Sequence, residues 1–297
     1  MMDQAHLLRD LIQRGKPRRS CYPFIMSVTS GKGGVGKTNI VANLSVSLSL
    51  LGRNVLLLDA DIGLGNLDVL LGLTPKHTIY HVLSGEKRLA EILVDGPKKI
   101  RILPASSGIQ ELTALEPLQK MILTAELGSV LEGVDILLID TGAGISYNVM
   151  HFNMVAQEIL VVITPEPTSL TDAYALMKVH SLKHSGKRYK ILCNLVKNEQ
   201  EAIQIFRHLS RVTQKFLNVS LELYGYIPFD EHVPKAVRQQ RPLVECFPKS
   251  EAARQFVLLA RKVEGRLRYY HQADGGGKYE MMSLPLWNNL NENFSEG

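Results

Sequence analysis

Residues 29–38 read TSGKGGVGKT. Gly31, Gly36, Lys37 and Thr38 hold the Gly-x4-Gly-Lys-Thr spacing of a phosphate-binding loop. Small residues are needed there so that backbone N–H groups can converge on anionic oxygens. A helix N-terminus behind the loop adds partial positive charge. Both flanks fit: the apolar run FIMSVT at 24–29 enters as a strand, and KTNIVANLSVSLSLLG leaves as a helix. The loop and the start of its helix comprise Gly31, Lys32, Gly33, Gly34, Val35, Gly36, Lys37, Thr38 and Asn39. Lys37 is placed to meet β- and γ-phosphates, and Thr38 to put its hydroxyl on Mg2+. Lys32 is a second cation directly after the first glycine, and the loop's own chemistry does not call for it.

Outward from the loop, strand-length runs rich in Ile, Val and Leu recur at 54–59, 100–103, 134–140, 158–164, 190–195 and 221–227. Helix-like stretches lie between them at 37–51, 86–94, 115–132, 146–156, 169–185 and 199–217. Near-continuous apolar strands suit a parallel sheet covered on both faces. Their alternation with helices is the doubly wound α/β pattern. The expected fold is a mostly parallel sheet of seven or eight strands with helices on both faces, a P-loop NTPase. A short helix and a long one at 249–271 should follow residue 232. Residues 3–14 form an amphipathic helix pattern with Leu7, Leu8, Leu11 and Ile12 on one face, which RGKPRRS then breaks. The chain thus divides into an N-terminal helix and linker at 1–20, an ATPase-type domain at 21–272 and a polar, glycine-bearing tail at 273–297. The tail is expected to be flexible apart from its apolar stretch MMSLPLW.

Composition excludes several classes. Hydrophobic content of 45% and charged content of 21% are ordinary for a globular chain. No window approaches the roughly 18 apolar residues of a spanning helix, and the N-terminus lacks a secretory signal. Cys21, Cys193 and Cys246 show neither metal-type spacing nor a disulfide framework, which points to a reducing cytoplasm. The formal charge of +5 is mild. Basic clusters at 14–19, 98–101, 183–190 and 261–268 read as solvated surface or as patches facing acidic lipid or nucleic acid.

Carboxylates at strand ends beside a phosphate loop hold Mg2+, often through a water. Two strands supply them: LLDADIGLGNLD gives Asp59 and Asp61, and LLIDTGAG gives Asp140 and Gly142. A single aspartate at such a place also reads as the cap of a turn or helix. Gly142 is placed to offer its N–H to a γ-phosphate and so sense hydrolysis.

With KGGVGKT at 32–38, DADIGLGNLD at 59–68 and DTGAG at 140–144, the chain resembles the MinD/ParA ATPases over about residues 24–245. These segments look like that family's deviant Walker A motif, switch I and switch II. The resemblance implies binding of ATP and ADP with Mg2+, and a homodimer formed with ATP. Lys32 would reach across that dimer to the partner's phosphates, where it offsets the repulsion between two sandwiched nucleotides. Lys32, Lys37 and Asp61 would carry catalysis, Asp61 by positioning the attacking water. Thr38, Asp59 and Asp140 would support the metal. Adenine contacts are implied for Asn194 in ILCNLV and for Pro228, Phe229 and Asp230 in IPFDEHV. Glu166 in TPEPTS would face the partner's ribose. Asn194 reads also as a buried turn former.

DQAHLLR at 3–9 resembles the DQAxxLR motif of the FlhG branch, also called YlxH or FleN, through Asp3, Gln4, Ala5, Leu8 and Arg9. In that branch the N-terminal helix binds an FlhF-type GTPase and stimulates GTP hydrolysis. PEPTSLTDAYALMK at 165–178 looks like the same branch, with Asp172 where MinD-type proteins meet partners. The branch implies a regulator of flagellar number or placement, cytoplasmic or peripheral at the inner membrane face near the flagellar pole. Flagellar C-ring proteins and a flagellar transcription activator are implied partners, with no specific nucleic acid. The alternative within the family is a partitioning or division-positioning ATPase acting on DNA or membrane. An electron-transfer ATPase would need cysteines at a dimer face, and a metabolic kinase leaves Lys32 unexplained. The helix at 249–271 has Ala253, Phe256, Val257, Ala260, Val263 and Leu267 on one face. It either packs on the sheet or lies on an anionic membrane. The tail carries Met281, Met282, Leu284, Leu286 and Trp287 but lacks a basic partner face.

Overall fold

The apolar run that enters the phosphate loop is buried along its whole length as β1 (Phe24–Ser30). Such a strand has no solvent face, so it must lie inside a sheet with helices on both sides. The computed structural model, which describes residues 23–61, 66–78, 81–82, 84–104, 126–183, 188–217 and 219–273, places it there. The other strands are β2 (Val55–Ala60), β3 (Val94–Asp95), β4 (Arg101–Leu103), β5 (Ile136–Ala143), β6 (Glu158–Ile163), β7 (Arg188–Val196) and β8 (Ser220–Pro228). They form one sheet in the order β3-β4-β2-β5-β1-β6-β7-β8. Only the β3–β4 pairing is antiparallel.

The helices, in chain order, are α1 (Lys37–Leu50), α2 (Leu67–Leu70), α3 (Leu89–Ile92), α4 (Tyr147–Val155), α5 (Pro167–Lys183), α6 (Glu199–Phe216), α7 (His232–Arg238), α8 (Leu243–Cys246) and α9 (Glu251–Ala273), and residues 126–131 are helical as well. α1 and α9 pack together on one face. α5 and α6 cover β6 and β7 on the other. Successive crossovers place β5 on one side of β1 and β6 on the other. The crevice at the carboxyl ends of these strands is where an open α/β sheet binds its ligand.

Three expectations are corrected. The helix foreseen at 86–94 shortens to α3, because Val94 and Asp95 pair with Ile102 and Arg101 as β3. A two-residue strand carries no periodic signal. The single short helix after residue 232 is two, α7 and α8, broken where Gln240 takes a positive φ of 52° and Pro242 precedes α8. The last helix begins at Glu251 rather than 249 and runs to Ala273. Of the helix expected at 115–132, residues 126–131 are helical and the remainder lies outside the described residues. The N-terminal helix with Asp3, Gln4, Ala5, Leu8 and Arg9, and the tail from 274, also lie outside them.

α9 resolves one ambiguity of the sequence. Ala253, Phe256, Ala260, Val263 and Leu267 are buried against α1 and the sheet, and Val257 is half-buried. Full burial of one large apolar side chain stabilises by about 1.5–3 kcal/mol, so this stripe is committed to the core rather than to a bilayer. Polar contacts fix the register: Lys262 donates to the Tyr224 carbonyl at 2.8 Å, Arg266 to Glu158 at 2.6 Å and Arg53 to Glu264 at 2.6 Å. The first contact also puts a lysine on a carbonyl of β8, an edge strand, which blunts unwanted pairing.

The N-terminus of α9 is tied to the loop after β8. Asp230 accepts from the Ala252 N–H at 3.2 Å with one oxygen. Its other oxygen takes the His232 N–H at 2.9 Å and the His232 ring at 2.7 Å. Ser250 accepts from the Ala253 N–H at 3.2 Å. Two of the orphan donors of the helix are thereby satisfied. Burial opposes ionisation of Asp230, but these bonds outweigh it and hold its carboxyl below the usual carboxylate range. Asp230→Ala should cost about 1–2 kcal/mol by urea unfolding near neutral pH. A folded-state pKa below the unfolded one gives stability that is present above the unfolded value and lost as pH falls through the folded one. The gap between wild type and variant should therefore close below about pH 4. A gap that stays constant down to acid unfolding would remove the carboxylate from this role.

Candidate functional site

The phosphate loop is shaped by backbone that side chains resist. Gly34 and Gly36 have φ of 79° and 86°, a left-handed conformation that glycine adopts at no steric cost. Val35 between them is buried and pins the loop to the core. α1 follows without a side-chain cap on its first N–H groups, so these point into the crevice as anion donors.

Beneath the loop lies a buried charge cluster. Lys37 is only 7% exposed, and its Nζ donates to Asp140 Oδ1 at 3.0 Å and stands 3.9 Å from Asp61 Oδ2. Asp59 and Asp140 sit directly opposite each other on the neighbouring strands β2 and β5. Burial, and then the charge of Asp140, push Asp59 up to about 7. Burial also raises Asp140, against the opposing pull of Lys37 and a hydrogen bond with Thr38. Asp140 Oδ2 is buried without a hydrogen-bond partner among the described residues. Two carboxylates therefore face one ammonium, a third lies opposite Asp140 on the next strand, and one oxygen of Asp140 is orphaned. That oxygen-rich, net-negative setting fits a hard divalent cation such as Mg2+, with Thr38, Asp59 and Asp140 as the residues to hold it.

Asp61 is partly exposed, and its backbone N–H donates to Asp59 at 3.2 Å. A Cβ added to Gly142 would stand 3.1 Å from Asp61 Oδ1. The ends of β2 and β5 thus bring Asp61 and Gly142 together at the mouth of the loop, and only a glycine leaves that approach open.

Lys32 does not join this cluster. It lies on the rim, pairs with Glu166 and donates to Thr168 Oγ1 at 3.0 Å. Both partners flank the start of α5. Gly31 beside it lies so close to α5 that a Cβ would come within 2.1 Å of the Asp172 carbonyl carbon. Nothing in the sequence marks Thr168 or the Asp172 backbone as supports of the loop. The contact of Gly31 with α5 spans a long stretch of chain and leaves no pattern beyond the glycine itself.

The residues expected around adenine make the following contacts within the chain. Asn194 is buried, and its amide donates to the Val35 carbonyl at 2.7 Å, so it fastens the phosphate loop to β7. Asn39 accepts from Asn43 one turn along α1 at 2.8 Å. Pro228 closes β8 in the core, while Phe229 is 69% exposed and its backbone N–H bonds Val196 at 2.8 Å. The two oxygens of Asp230 are committed to α9 and His232, as above. Of this set, Phe229 presents a free apolar face beside the crevice. Cys193 is buried in β7, its thiol pushed up to about 12 by burial.

Residues 23–264 match the ParA family model, described as NUBPL iron-transfer P-loop NTPase. The antiactivator FleN of Pseudomonas aeruginosa is 47% identical over 250 residues, 84% of this chain and 89% of its own. The flagellum site-determining protein YlxH of Helicobacter pylori is 34% identical over 255 residues, 84% of this chain and 85% of its own. Among solved structures, the septum site-determining protein MinD of Pyrococcus horikoshii complexed with Mg-ADP superposes with a TM-score of 0.65 at 27% identity, covering 82% of this chain and 96% of that one.

The two loop glycines separate packing from anion binding. Gly31→Ala forces a carbon into the α5 backbone and should destabilise by about 1–3 kcal/mol. A Cβ at Gly33 meets nothing within 4 Å, so Gly33→Ala should leave unfolding by urea within about 1 kcal/mol of wild type. Equal stabilities for the two variants would contradict the contact between the loop and α5.

Proposed function

The chain belongs to the ParA family of P-loop ATPases, and from that premise we propose that it is an ATP-driven dimerisation switch that sets the number or placement of flagella. The observation that carries this reading is the position of Lys32. Lys37 already serves phosphates from inside the loop, whereas Lys32 is held on the rim by Glu166 and Thr168. A cation so placed is free to leave its own chain for a second nucleotide brought face to face with the first. The charge of two triphosphates opposes that approach, and a lysine lent by each subunit offsets it. Glu166, once released, turns to the partner's ribose.

Hydrolysis needs positioning more than covalent help. Asp61 orients a water on the γ-phosphorus. The water oxygen forms the new bond, the bond to the β–γ bridging oxygen breaks, and the water's protons pass to phosphate and solvent. Lys37 and Lys32 stabilise the charge that develops. Thr38, Asp59 and Asp140 would hold Mg2+, which when bound would supply positive charge to offset the negative charge of the phosphates. Gly142, beside Asp61, loses its anionic partner when phosphate leaves, and the dimer separates. Asn194 and Phe229 flank the purine, with Pro228 behind.

The relatives suggest what the switch controls. One is named an antiactivator and the other a site-determining protein of the flagellum. We assign this chain a flagellar transcription activator and C-ring proteins as partners, and an FlhF-type GTPase engaged through Asp3, Gln4, Ala5, Leu8 and Arg9. It acts in the cytoplasm or peripherally at the inner membrane face near the flagellar pole.

Lys32→Ala should bind ATP no more than about tenfold more weakly, since an exposed ion pair is worth little. It should nevertheless sediment as a monomer with ATP and Mg2+ in the analytical ultracentrifuge. An ATP-dependent dimer of this variant would refute the switch. Asp61→Ala should lower turnover roughly 10²-fold or more while the dimer persists, and unchanged turnover would exclude its role. A peptide of residues 1–20 should accelerate GTP hydrolysis by the cognate FlhF-type GTPase. An active GTPase that ignores the peptide would remove that partner.

A further inference from the structure

α5 and α6 lie side by side on one face of the sheet, and each runs from the nucleotide end back to the start of the next strand. Their last turns expose two large apolar side chains, Leu182 at 79% and Phe216 at 63%. Cations surround them. Arg207, Arg211 and Lys215 recur every fourth residue along an exposed line of α6. Lys178 is exposed on α5 one turn before Leu182, and Arg188 is exposed at the start of β7. Lys215 lies 5.2 Å from the centre of the Phe216 ring. Among the described residues none of these five cations forms an ion pair. The acidic residues of α6, Glu199 and Glu201, are at its opposite end.

Cations near a helix C-terminus complement its dipole. That explains the sign of the charges on α6 but neither Arg188 nor the two protruding apolar side chains. α9 ends at the same end of the sheet. Gln157, just before β6, donates to the Tyr270 hydroxyl at 3.1 Å, and the Tyr270 ring packs on Phe24 at the start of β1. Residues 274–297, outside the described residues, bear Met281, Met282, Leu284, Leu286 and Trp287 but a single basic residue, Lys278. One apolar anchor alone binds a membrane marginally, and a basic surface is the usual second signal. Each feature here supplies what the other lacks. A nucleic-acid backbone would use the cations and leave Leu182 and Phe216 in water, whereas a bilayer with acidic headgroups uses both.

We propose that the strand-start end of α5 and α6 is a docking surface for an anionic lipid bilayer, with Arg207, Arg211, Lys215, Lys178 and Arg188 on the headgroups and Leu182 and Phe216 inserted between them. This rests on the membrane-proximal reading of the function above. It is tested with the full chain, ATP and Mg2+, by co-sedimentation with phosphatidylglycerol–phosphatidylcholine vesicles and with phosphatidylcholine vesicles alone. Wild type should pellet with the mixed vesicles, less so as salt rises, and not with the neutral ones. Combined Arg207→Glu, Arg211→Glu and Lys215→Glu should lower the partition coefficient roughly tenfold or more. Leu182→Ser with Phe216→Ser should lower it as well, even at low salt. All five side chains are exposed, so circular dichroism and lipid-free dimerisation with ATP should match wild type. Those controls separate failure of the docking surface from failure of the switch. Pelleting of the charge-reversed chain like wild type, equal binding to neutral vesicles, or no binding of wild type to either, would overturn the proposal. So would loss of duplex DNA binding in the charge-reversed chain with lipid binding intact.

Discussion

Everything at the nucleotide end is arranged around one buried ammonium group. Lys37 is almost without solvent and faces Asp140 at 3.0 Å and Asp61 at 3.9 Å, with Asp59 opposite Asp140 on the next strand. A charge removed from water persists only when paired and hydrogen-bonded, and here the pairing is lopsided. Three carboxylates exceed one lysine, so the pocket is poised for a divalent cation. With a cation and a triphosphate bound there, the excess of negative charge would lie at the rim. The second lysine, Lys32, stands at that rim.

α5 connects this chemistry to the rest of the molecule. Its first turns support Gly31 by direct backbone contact and carry Thr168, which holds Lys32 with Glu166. Its last turn, about 25 Å away at 1.5 Å per residue over its length, presents Leu182 in the proposed lipid-docking surface. A shift of Lys32 from its own α5 to a partner nucleotide would act on the helix that reaches both ends of the sheet. Coupling of this kind requires α5 to move as a unit, and its burial against β6 and β7 through Ala173, Leu176 and Met177 allows rigid displacement more readily than bending.

The sequence made the fold legible because its buried strands and crossover helices have different periods. The runs at 24–29 and 158–164 become β1 and β6 almost residue for residue. The failures lie where the local pattern is too short or too distant to read. β3 has two residues, and the break between α7 and α8 depends on a single positive φ at Gln240. The site was legible in its charged residues: Lys37, Asp59, Asp61 and Asp140 converge as spacing and strand ends foretold. It was not legible where the side chain had two uses. Asn194 and Asp230 are polar residues at strand ends, and their bonds to the Val35 carbonyl and to the N-terminus of α9 leave no local pattern. The partners of Lys32 come from a segment far along the chain, which only the assembled crossover brings to the rim.

The account is tested most directly by a crystal structure of the Asp61→Ala chain with ATP and Mg2+. It predicts two copies facing each other across two nucleotides, with each Lys32 detached from its own Glu166 and Thr168 and bound to the other copy's phosphates. A single nucleotide-loaded copy with Lys32 still on Glu166 and Thr168 would contradict it.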